Sequence, residues 1–241
     1  MKKFMVLLAT GLLLCALVFG TSTKAMATMA LYLQEDGGAI TLANSGPSFI
    51  PLTFSGAFGD YTVTILGSSA LNSAGGSNLL SAVVSVTSNV SASHTLHMYV
   101  SETDYTLPTG PLLSVSSQMG GTYGGEPGFI GAATFKMWAD AANALLGMPV
   151  PFTNGLQIPT PASGNNVSFD TGTNTGTFTR LPGNYSLTSE TSFTTSGAIG
   201  GDMNDSSHIR VSAVPEPATM LLLGSGLLGM GVYARRRFSK K

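Results

Sequence analysis

Short segments in which large apolar and small polar residues alternate limit the fold more than any other feature of this chain. Residues 61–65 read Tyr-Thr-Val-Thr-Ile, and Leu96, Met98 and Val100 occupy alternate positions further along. Alternate residues of a β-strand point to the same side of its sheet. Such segments therefore predict strands with one face in a core and the other toward solvent.

The same alternation recurs through the middle of the chain, at residues 82–87, 134–138, 185–193 and 209–211. In the first of these segments we expect Ala82, Val84 and Val86 to share one face. Gly-Gly and Pro-Gly turn signals separate the segments, and none of the intervening stretches has the period of a long amphipathic helix. The pattern predicts an all-β fold, an antiparallel β-sandwich with jelly-roll-like character.

Two segments of the middle region do not follow the alternation. Residues 132–146 contain alanines that would permit a helix, but Thr-Phe-Lys-Met-Trp favours a strand, with residues 140–143 turning the chain. Residues 155–166 are rich in proline and small polar residues, which predicts a long surface loop. The whole of residues 28–213 is therefore expected to form one domain.

Charge and cysteine content exclude some functions for this domain. It has three cations, Lys136, Arg180 and Arg210, against eleven carboxylates, a net charge of −8. Binding to nucleic acid requires clustered lysine and arginine, so no nucleic-acid partner is expected. The one cysteine is Cys15, near the N-terminus, and residues 28–213 offer neither disulfides nor thiolate ligands.

The first 27 residues have the layout of a secretory signal peptide. Lys2 and Lys3 precede an apolar stretch at residues 4–20, and Ala25 and Ala27 supply the small residues of a signal peptidase site. An uncleaved anchor is the alternative, because the apolar stretch is slightly long. We expect a mature chain that begins at Thr28.

The last 28 residues, 214–241, combine a proline motif, an apolar run and a basic end. Val214, Pro215, Glu216 and Pro217 form the motif. Residues 218–234 contain no charge, and Arg235, Arg236 and Arg237 begin the tail at residues 235–241. As a helix the 17-residue run would reach about 25 Å, enough for a thin bilayer core. Arginines after a span mark its cytoplasmic end, so the domain is expected outside the inner membrane.

This tail resembles the sorting signal of PEP-CTERM proteins, in which a Pro-Glu-Pro motif precedes one transmembrane helix and an arginine-rich end. The resemblance implies an exosortase as processing enzyme, with signal peptidase acting at the other terminus. It also implies anchoring in the inner membrane with a periplasmic domain, then transfer to the cell surface or extracellular matrix of a Gram-negative bacterium. A plain C-terminal anchor is the alternative interpretation.

The histidines do not have the spacing of a metal site. His94 and His97 lie three apart in a predicted strand, so their side chains point to opposite faces and cannot hold one ion. His208 stands alone near the last strand. From spacing we therefore predict no transition metal and no cofactor. A calcium site is a weak candidate at Asp202, Asn204 and Asp205, which are interpreted as an oxygen-rich loop.

No catalytic residue can be assigned from the sequence. Glu102 and Asp104 form a carboxylate pair, but spacing along a chain does not give spacing across a sandwich. Trp138 is interpreted as a core residue rather than a sugar-stacking one. The leading hypothesis is a non-enzymatic surface or matrix protein. A carbohydrate- or surface-binding, adhesin-like sandwich is the alternative, with extracellular polysaccharide as its partner, and a hydrolase comes third.

Overall fold

The fold is known from a computed structural model. It describes residues 27–214 apart from 49, 125–129, 151–152, 160–161, 164–166 and 197–198, together with residues 223–228 and 230. Every element of the described residues up to 214 is a strand or a turn, and all strand pairs are antiparallel. The predicted all-β class is confirmed.

Thirteen strands are described. They are β1 (Thr28–Glu35), β2 (Thr41–Pro47), β3 (Leu52–Phe58), β4 (Tyr61–Ser73), β5 (Gly76–Ser88), β6 (His94–Tyr105), β7 (Leu112–Gly124), β8 (Ile130–Asp140), β9 (Ala162–Ser163), β10 (Val167–Asp170), β11 (Asn174–Thr179), β12 (Tyr185–Ser196) and β13 (Asp202–Ala213).

The strands form two sheets. Sheet A has the order β2-β1-β6-β12-β8-β9, and sheet B has the order β10-β7-β13-β5-β4-β3, with β11 also pairing with β7. The central strands β12 and β13 come last in the chain, so both sheets are completed only near its C-terminal end. Ala213, the last residue of β13, is therefore the last residue of the two sheets.

One continuous core lies between the two sheets. Its largest fully buried side chains are aromatic: Tyr61, Tyr123, Tyr185, Phe135 and Phe193. Burying one large apolar side chain contributes about 1.5–3 kcal/mol, so these rings account for much of the attraction between the sheets. Since residues 28–213 contain no cysteine, this packing takes the place of disulfides.

The alternating segments lie in strands as predicted, and residues 140–143 turn the chain after β8. One face assignment was wrong, however. Val83 and Val86 are buried, whereas Val84 is 58% exposed, because the pairing of β5 with β4 shifts between Thr64 and Ile65 and leaves Val84 in a β-bulge.

Two described parts of the region predicted as a long loop, residues 155–166, pair with sheet A. Gln157 forms a two-way backbone pairing with Phe135, and β9 pairs with the start of β8. This segment therefore covers the edge of β8 and leaves less of that edge open to other chains.

Candidate functional site

The outer face of sheet A carries a row of four polar or aromatic side chains across four neighbouring strands. Strand register places Tyr32 opposite Tyr99, Tyr99 opposite Glu190, and Glu190 opposite Lys136. Glu190 is 4% exposed although it lies outside the core between the sheets. The carboxylate of Glu190 is therefore nearly inaccessible to solvent and lies between the ring of Tyr99 and the cation of Lys136.

Glu190 is held by two neighbours, and we call these three side chains the Glu190 cluster. Lys136 Nζ donates to Oε1 at 3.1 Å and to Oε2 at 3.3 Å, while His97 Nδ1 lies 2.8 Å from Oε1. Burial alone would raise the pKa of Glu190, but the bond from His97 and the charge of Lys136 outweigh it and lower that pKa. Glu190 is thus kept ionised, which suits a structural ion pair.

Aromatic side chains pack around this cluster. The rings of His97 and Tyr99 stack with centroids 6.4 Å apart, and Tyr99 Oη donates to Gln34 Oε1 at 2.7 Å. Burial, with a smaller contribution from Glu190, raises the pKa of Tyr99, so its hydroxyl remains a donor. Trp138 is 4% exposed and so is buried as predicted, although it lies on the outer face of sheet A and outside the cluster between the two sheets.

A second cluster lies at one end of the sandwich and joins the two sheets; we call it the His94 cluster. It comprises Glu35 at the end of β1, Asp36 in the following turn, Asp60 in the β3–β4 turn, and His94 at the start of β6. His94 Nδ1 is 2.9 Å from Asp36 Oδ2, and His94 Nε2 is 3.4 Å from Asp60 Oδ2.

Backbone N–H groups bond two of the three carboxylates of the His94 cluster. Asp60 N donates to Glu35 Oε1 at 3.1 Å, and Thr95 N donates to Asp36 Oδ1 at 2.9 Å. Gly59 has φ +54°, which favours glycine, and a Cβ there would lie 1.7 Å from Glu35 Oε2, so any other residue would displace this carboxylate. The bond to His94 lowers the pKa of Asp36, and the same bond raises the pKa of His94.

The prediction that His94 and His97 point to opposite faces is confirmed. His97 reaches Glu190 on the outer face of sheet A, whereas His94 reaches Asp36 and Asp60 at the end of the sandwich. What sequence spacing did not show is that Glu35 and Asp60, far from His94 in the chain, share its position in the fold. The one sequence feature that could have indicated this cluster is an acidic residue in the turn after β1 and another in the turn after β3.

The interpretation of residues 202–205 as a loop was wrong, because they begin β13. Alternation along this strand exposes Asn204 and buries Asp205, which is 5% exposed. The fold thus turns these two candidate calcium ligands to opposite faces, and Asp202 lies on the side of Asn204. Calcium binding at these residues stays a prediction.

Asp205 is a carboxylate inside the core. Neither of its oxygens has a hydrogen-bond partner of good geometry among the described residues, and Thr191 and Tyr123 are its polar neighbours. Burial raises the pKa of Asp205 to about 8, against smaller lowering effects of Val83 and Thr191. At neutral pH this side chain is therefore largely protonated.

The carboxylates of Glu102 and Asp104 have separate partners. Glu102 is buried, accepts from Ser69 Oγ at 2.8 Å and from Tyr105 Oη, and has a pKa raised mainly by burial. Asp104 instead accepts from Asn143 Nδ2 at 2.9 Å and from Asn184 Nδ2 at 2.8 Å. Each carboxylate is thus held by its own set of hydrogen-bond donors.

Most of the predicted sorting and cleavage residues lie outside the described residues. These are Ala25, Pro215, Glu216, Pro217, Arg235, Arg236 and Arg237, along with most of the signal peptide and of the apolar run. Ala27 and Val214 are described and flank the domain, and residues 223–228 and 230 are helical. Among the described residues, no helix has both the length and the apolar character that crossing a membrane requires.

The described domain is thus an antiparallel β-sandwich that closes at Ala213, immediately before the sorting tail. The family model described as the PEP-CTERM protein-sorting motif matches residues 213–237. The chain therefore carries a PEP-CTERM sorting motif at its C-terminus, as its resemblance to that family implied. This motif implies export, membrane anchoring before processing, and processing by an exosortase.

Other comparisons add nothing to the functional argument. No curated protein matches the sequence. Among solved structures, the enzymatically active domain of bacteriophage CBA120 tailspike protein 4 is 11% identical, with a TM-score of 0.24 over 68% of this chain and 19% of that one. The adhesin domain of Epf from Streptococcus pyogenes is 9% identical, with a TM-score of 0.36 over 76% of this chain and 57% of that one.

A third structure, the xylan-binding CBM22-1 domain from Paenibacillus barcinonensis, is 13% identical with a TM-score of 0.24. It is matched over 70% of this chain and 99% of its own length. The chain thus spans about a fifth and rather more than half of the first two structures. Similarities of this size do not support a function.

Proposed function

We propose that this protein is an exported surface or extracellular-matrix protein of a Gram-negative bacterium, released from its membrane anchor by an exosortase. Its domain is a jelly-roll-like sandwich that acts as a non-enzymatic structural or interaction module. Signal peptidase removes residues 1–27, and the C-terminal run holds the chain in the inner membrane until the tail is processed.

One observation supports this proposal above the others: the sorting motif begins where the fold ends. β13 is the central strand of sheet B, between β5 and β7, and its last residue is Ala213. The family match begins at residue 213, and no strand of the described residues follows it. A cut within residues 214–217 would therefore release both sheets complete.

Replacing Glu216 by Ala tests this function in cells with an active exosortase. The substitution removes the one charge between the two prolines and leaves the apolar run unchanged, so insertion should proceed while processing slows or stops. Full-length protein should then accumulate in the inner membrane, as detected with antibodies to the domain and to a tag after Lys241. Normal maturation of this variant would favour a plain anchor.

The arginines provide the matched control for this experiment. Replacing Arg235, Arg236 and Arg237 by Ser removes charges that are costly to carry across a bilayer, so retention should weaken. Lys240 and Lys241 remain, and the loss should be partial. If both variants fractionated identically, the motif and the basic end would not have separate functions.

Glycan binding at the outer face of sheet A is a second candidate, with extracellular polysaccharide as the ligand. The supporting observation is a set of partly exposed side chains beside Glu190: Tyr32, Gln34, His97 and Lys136. An aromatic ring flanked by hydrogen-bonding groups suits a sugar ring. An exposed aromatic row around Trp138 would have supported this candidate, but Trp138 is buried and offers no exposed ring.

Affinity electrophoresis in gels that contain a soluble polysaccharide tests the second candidate. Glycan binding predicts retarded migration, which Tyr32→Ala should abolish while His208→Ala, on the exposed face of sheet B, retains it. Equal migration of all three proteins with and without polysaccharide would remove this candidate without affecting the sorting function.

A further inference from the structure

Strand ends from both sheets bring metal-binding side chains together at the His94 cluster. β1 and β6 of sheet A supply Glu35 and His94, and the β3–β4 turn of sheet B supplies Asp60. We propose that Glu35, Asp60 and His94 bind one divalent transition-metal ion, with Asp36 orienting the imidazole. The ion would join the two sheets at this end of the sandwich.

The donor set fits such an ion. One donor atom from each of Glu35, Asp60 and His94 lies within 4.8 Å of the other two. Donors bound to one zinc ion at about 2.0–2.2 Å are at most about 4.4 Å apart, so small side-chain rotations close the site. An imidazole nitrogen favours zinc and its neighbours in the first transition row, and carboxylate oxygens are compatible with zinc and manganese.

The orientation of the imidazole is an independent indication. Histidines that bind metals almost always donate their other ring N–H to a carboxylate or carbonyl. Here Nδ1 lies 2.9 Å from Asp36 Oδ2, which leaves Nε2 directed toward Asp60 Oδ2 at 3.4 Å. With one proton on Nδ1, the lone pair of Nε2 is directed toward Asp60 Oδ2, which is the arrangement that a metal ion bound by both atoms requires.

Charge balance agrees with this assignment. Three carboxylates meet at the cluster, and no lysine or arginine of the described residues forms an ion pair with any of them. This contrasts with Glu190, which pairs with Lys136. The proposal replaces the expectation from sequence spacing, because its ligands come from residues 35, 60 and 94 and not from one local motif.

Calorimetric titration of the full-length protein, purified in detergent without a histidine tag and stripped with a chelator, tests the proposal. Zn²⁺ should bind with a stoichiometry of one, and Mn²⁺ should compete. His94→Gln and Asp60→Asn should each weaken Zn²⁺ binding at least about tenfold, and Asp36→Asn by about 10–100-fold as an orienting residue. Zn²⁺ should also raise the melting temperature of the wild-type protein.

His208→Gln is the matched control, since His208 is an exposed histidine of β13 on another face. It should bind Zn²⁺ like the wild type. The proposal is overturned if saturable binding is absent up to millimolar Zn²⁺, or if His94→Gln retains wild-type affinity. It is also overturned if Ca²⁺ displaces Zn²⁺ at equal concentration, which would mean a site of carboxylates alone. If His94→Gln fails to fold, Glu35→Gln takes its place, and wild-type Zn²⁺ affinity in that variant would equally overturn the proposal.

Discussion

The two central strands, β12 and β13, differ in how their side chains are buried. Exposed and buried side chains alternate along β13, as in any strand with one face toward solvent. Asn204, Ser206 and His208 are exposed, and the residues between them are buried. β12 is buried on both faces from Tyr185 to Phe193, although its sequence is mostly serine and threonine. The difference shows that polarity in a sequence does not by itself mark a solvent-facing strand.

The carboxylates of these strands differ in the same way. β12 turns Glu190 outward into a nearly buried site, where Lys136 neutralises its charge and His97 Nδ1 is hydrogen-bonded to it. β13 turns Asp205 inward, where no partner of good geometry is present among the described residues. Accordingly the pKa of Glu190 is lowered and that of Asp205 is raised. Burial disfavours the charged form of both carboxylates, and Glu190 remains charged because its neighbouring groups outweigh that effect.

The largest expected effect is a dependence of stability on pH that comes from Asp205. Because the pKa of Asp205 rises from 3.8 to about 8 on folding, the native state keeps a proton that the unfolded chain loses. Stability should therefore fall as pH rises from about 4 to about 8, by up to about 1.4 kcal/mol per pH unit relative to Asp205→Asn.

Urea unfolding of residues 28–213 at pH 5, 6.5 and 8 measures this dependence in both proteins. Among the described residues, the titratable group that faces Asp205 is Tyr123, whose pKa burial raises to about 12, so it does not titrate in this window. Parallel pH profiles for wild type and Asp205→Asn would mean that Asp205 is solvated or paired, and the contrast with Glu190 would fail.

The next effect concerns Lys136. Replacing it by Met leaves Glu190 nearly buried without a lysine partner, hydrogen-bonded to His97, and breaking such a pair costs about 3–5 kcal/mol. We expect the lower end, about 3 kcal/mol, because the Lys136 side chain is 23% exposed. Combining Lys136→Met with Glu190→Leu should restore much of the loss, since an apolar pair replaces the ionic one. A loss below about 1 kcal/mol for Lys136→Met would show that the pair is solvent-screened.

A smaller effect compares hydroxyl groups on the two strands. Thr188 of β12 is buried, and its Oγ1 is 2.9 Å from Ser101 Oγ, so Thr188→Val should cost about 1–3 kcal/mol. Ser206 of β13 is exposed, and Ser206→Ala should change stability by no more than about 0.5 kcal/mol. Equal losses in thermal unfolding would contradict the different burial of the two strands.

Local patterns in the sequence predicted part of this fold. Alternation identified residues 61–65 and 96–100 as strands. The turn at residues 140–143 was predicted from the residues that follow Trp138. β7 was missed because it is rich in glycine and serine, and the bulge at Val84 arises from pairing with β4 rather than from β5 itself. Register across a sheet is a long-range property, which local alternation does not determine.

The candidate sites were less predictable, for a related reason. The sorting motif is contiguous, so the sequence alone revealed it. Both charge clusters combine distant residues: Lys136 and Glu190 meet through the register of β8 with β12, and His94 meets Asp60 where two sheets end. The burial of β12 on its outer side also depends on the segment after β8, where Ser186 Oγ donates to Ala144 O and Leu146 N donates to Ser101 Oγ. None of these contacts could be predicted from the spacing of residues along the sequence.

The central claim is that processing leaves a complete sandwich, and the intact mass of the released protein tests it most directly. We predict a chain that begins at Thr28 and ends at or after Val214 but before Ala218, with the melting temperature of residues 28–213. A released chain that retains Arg235–Arg237, or one that ends before Ala213 and so loses part of β13, would contradict the account.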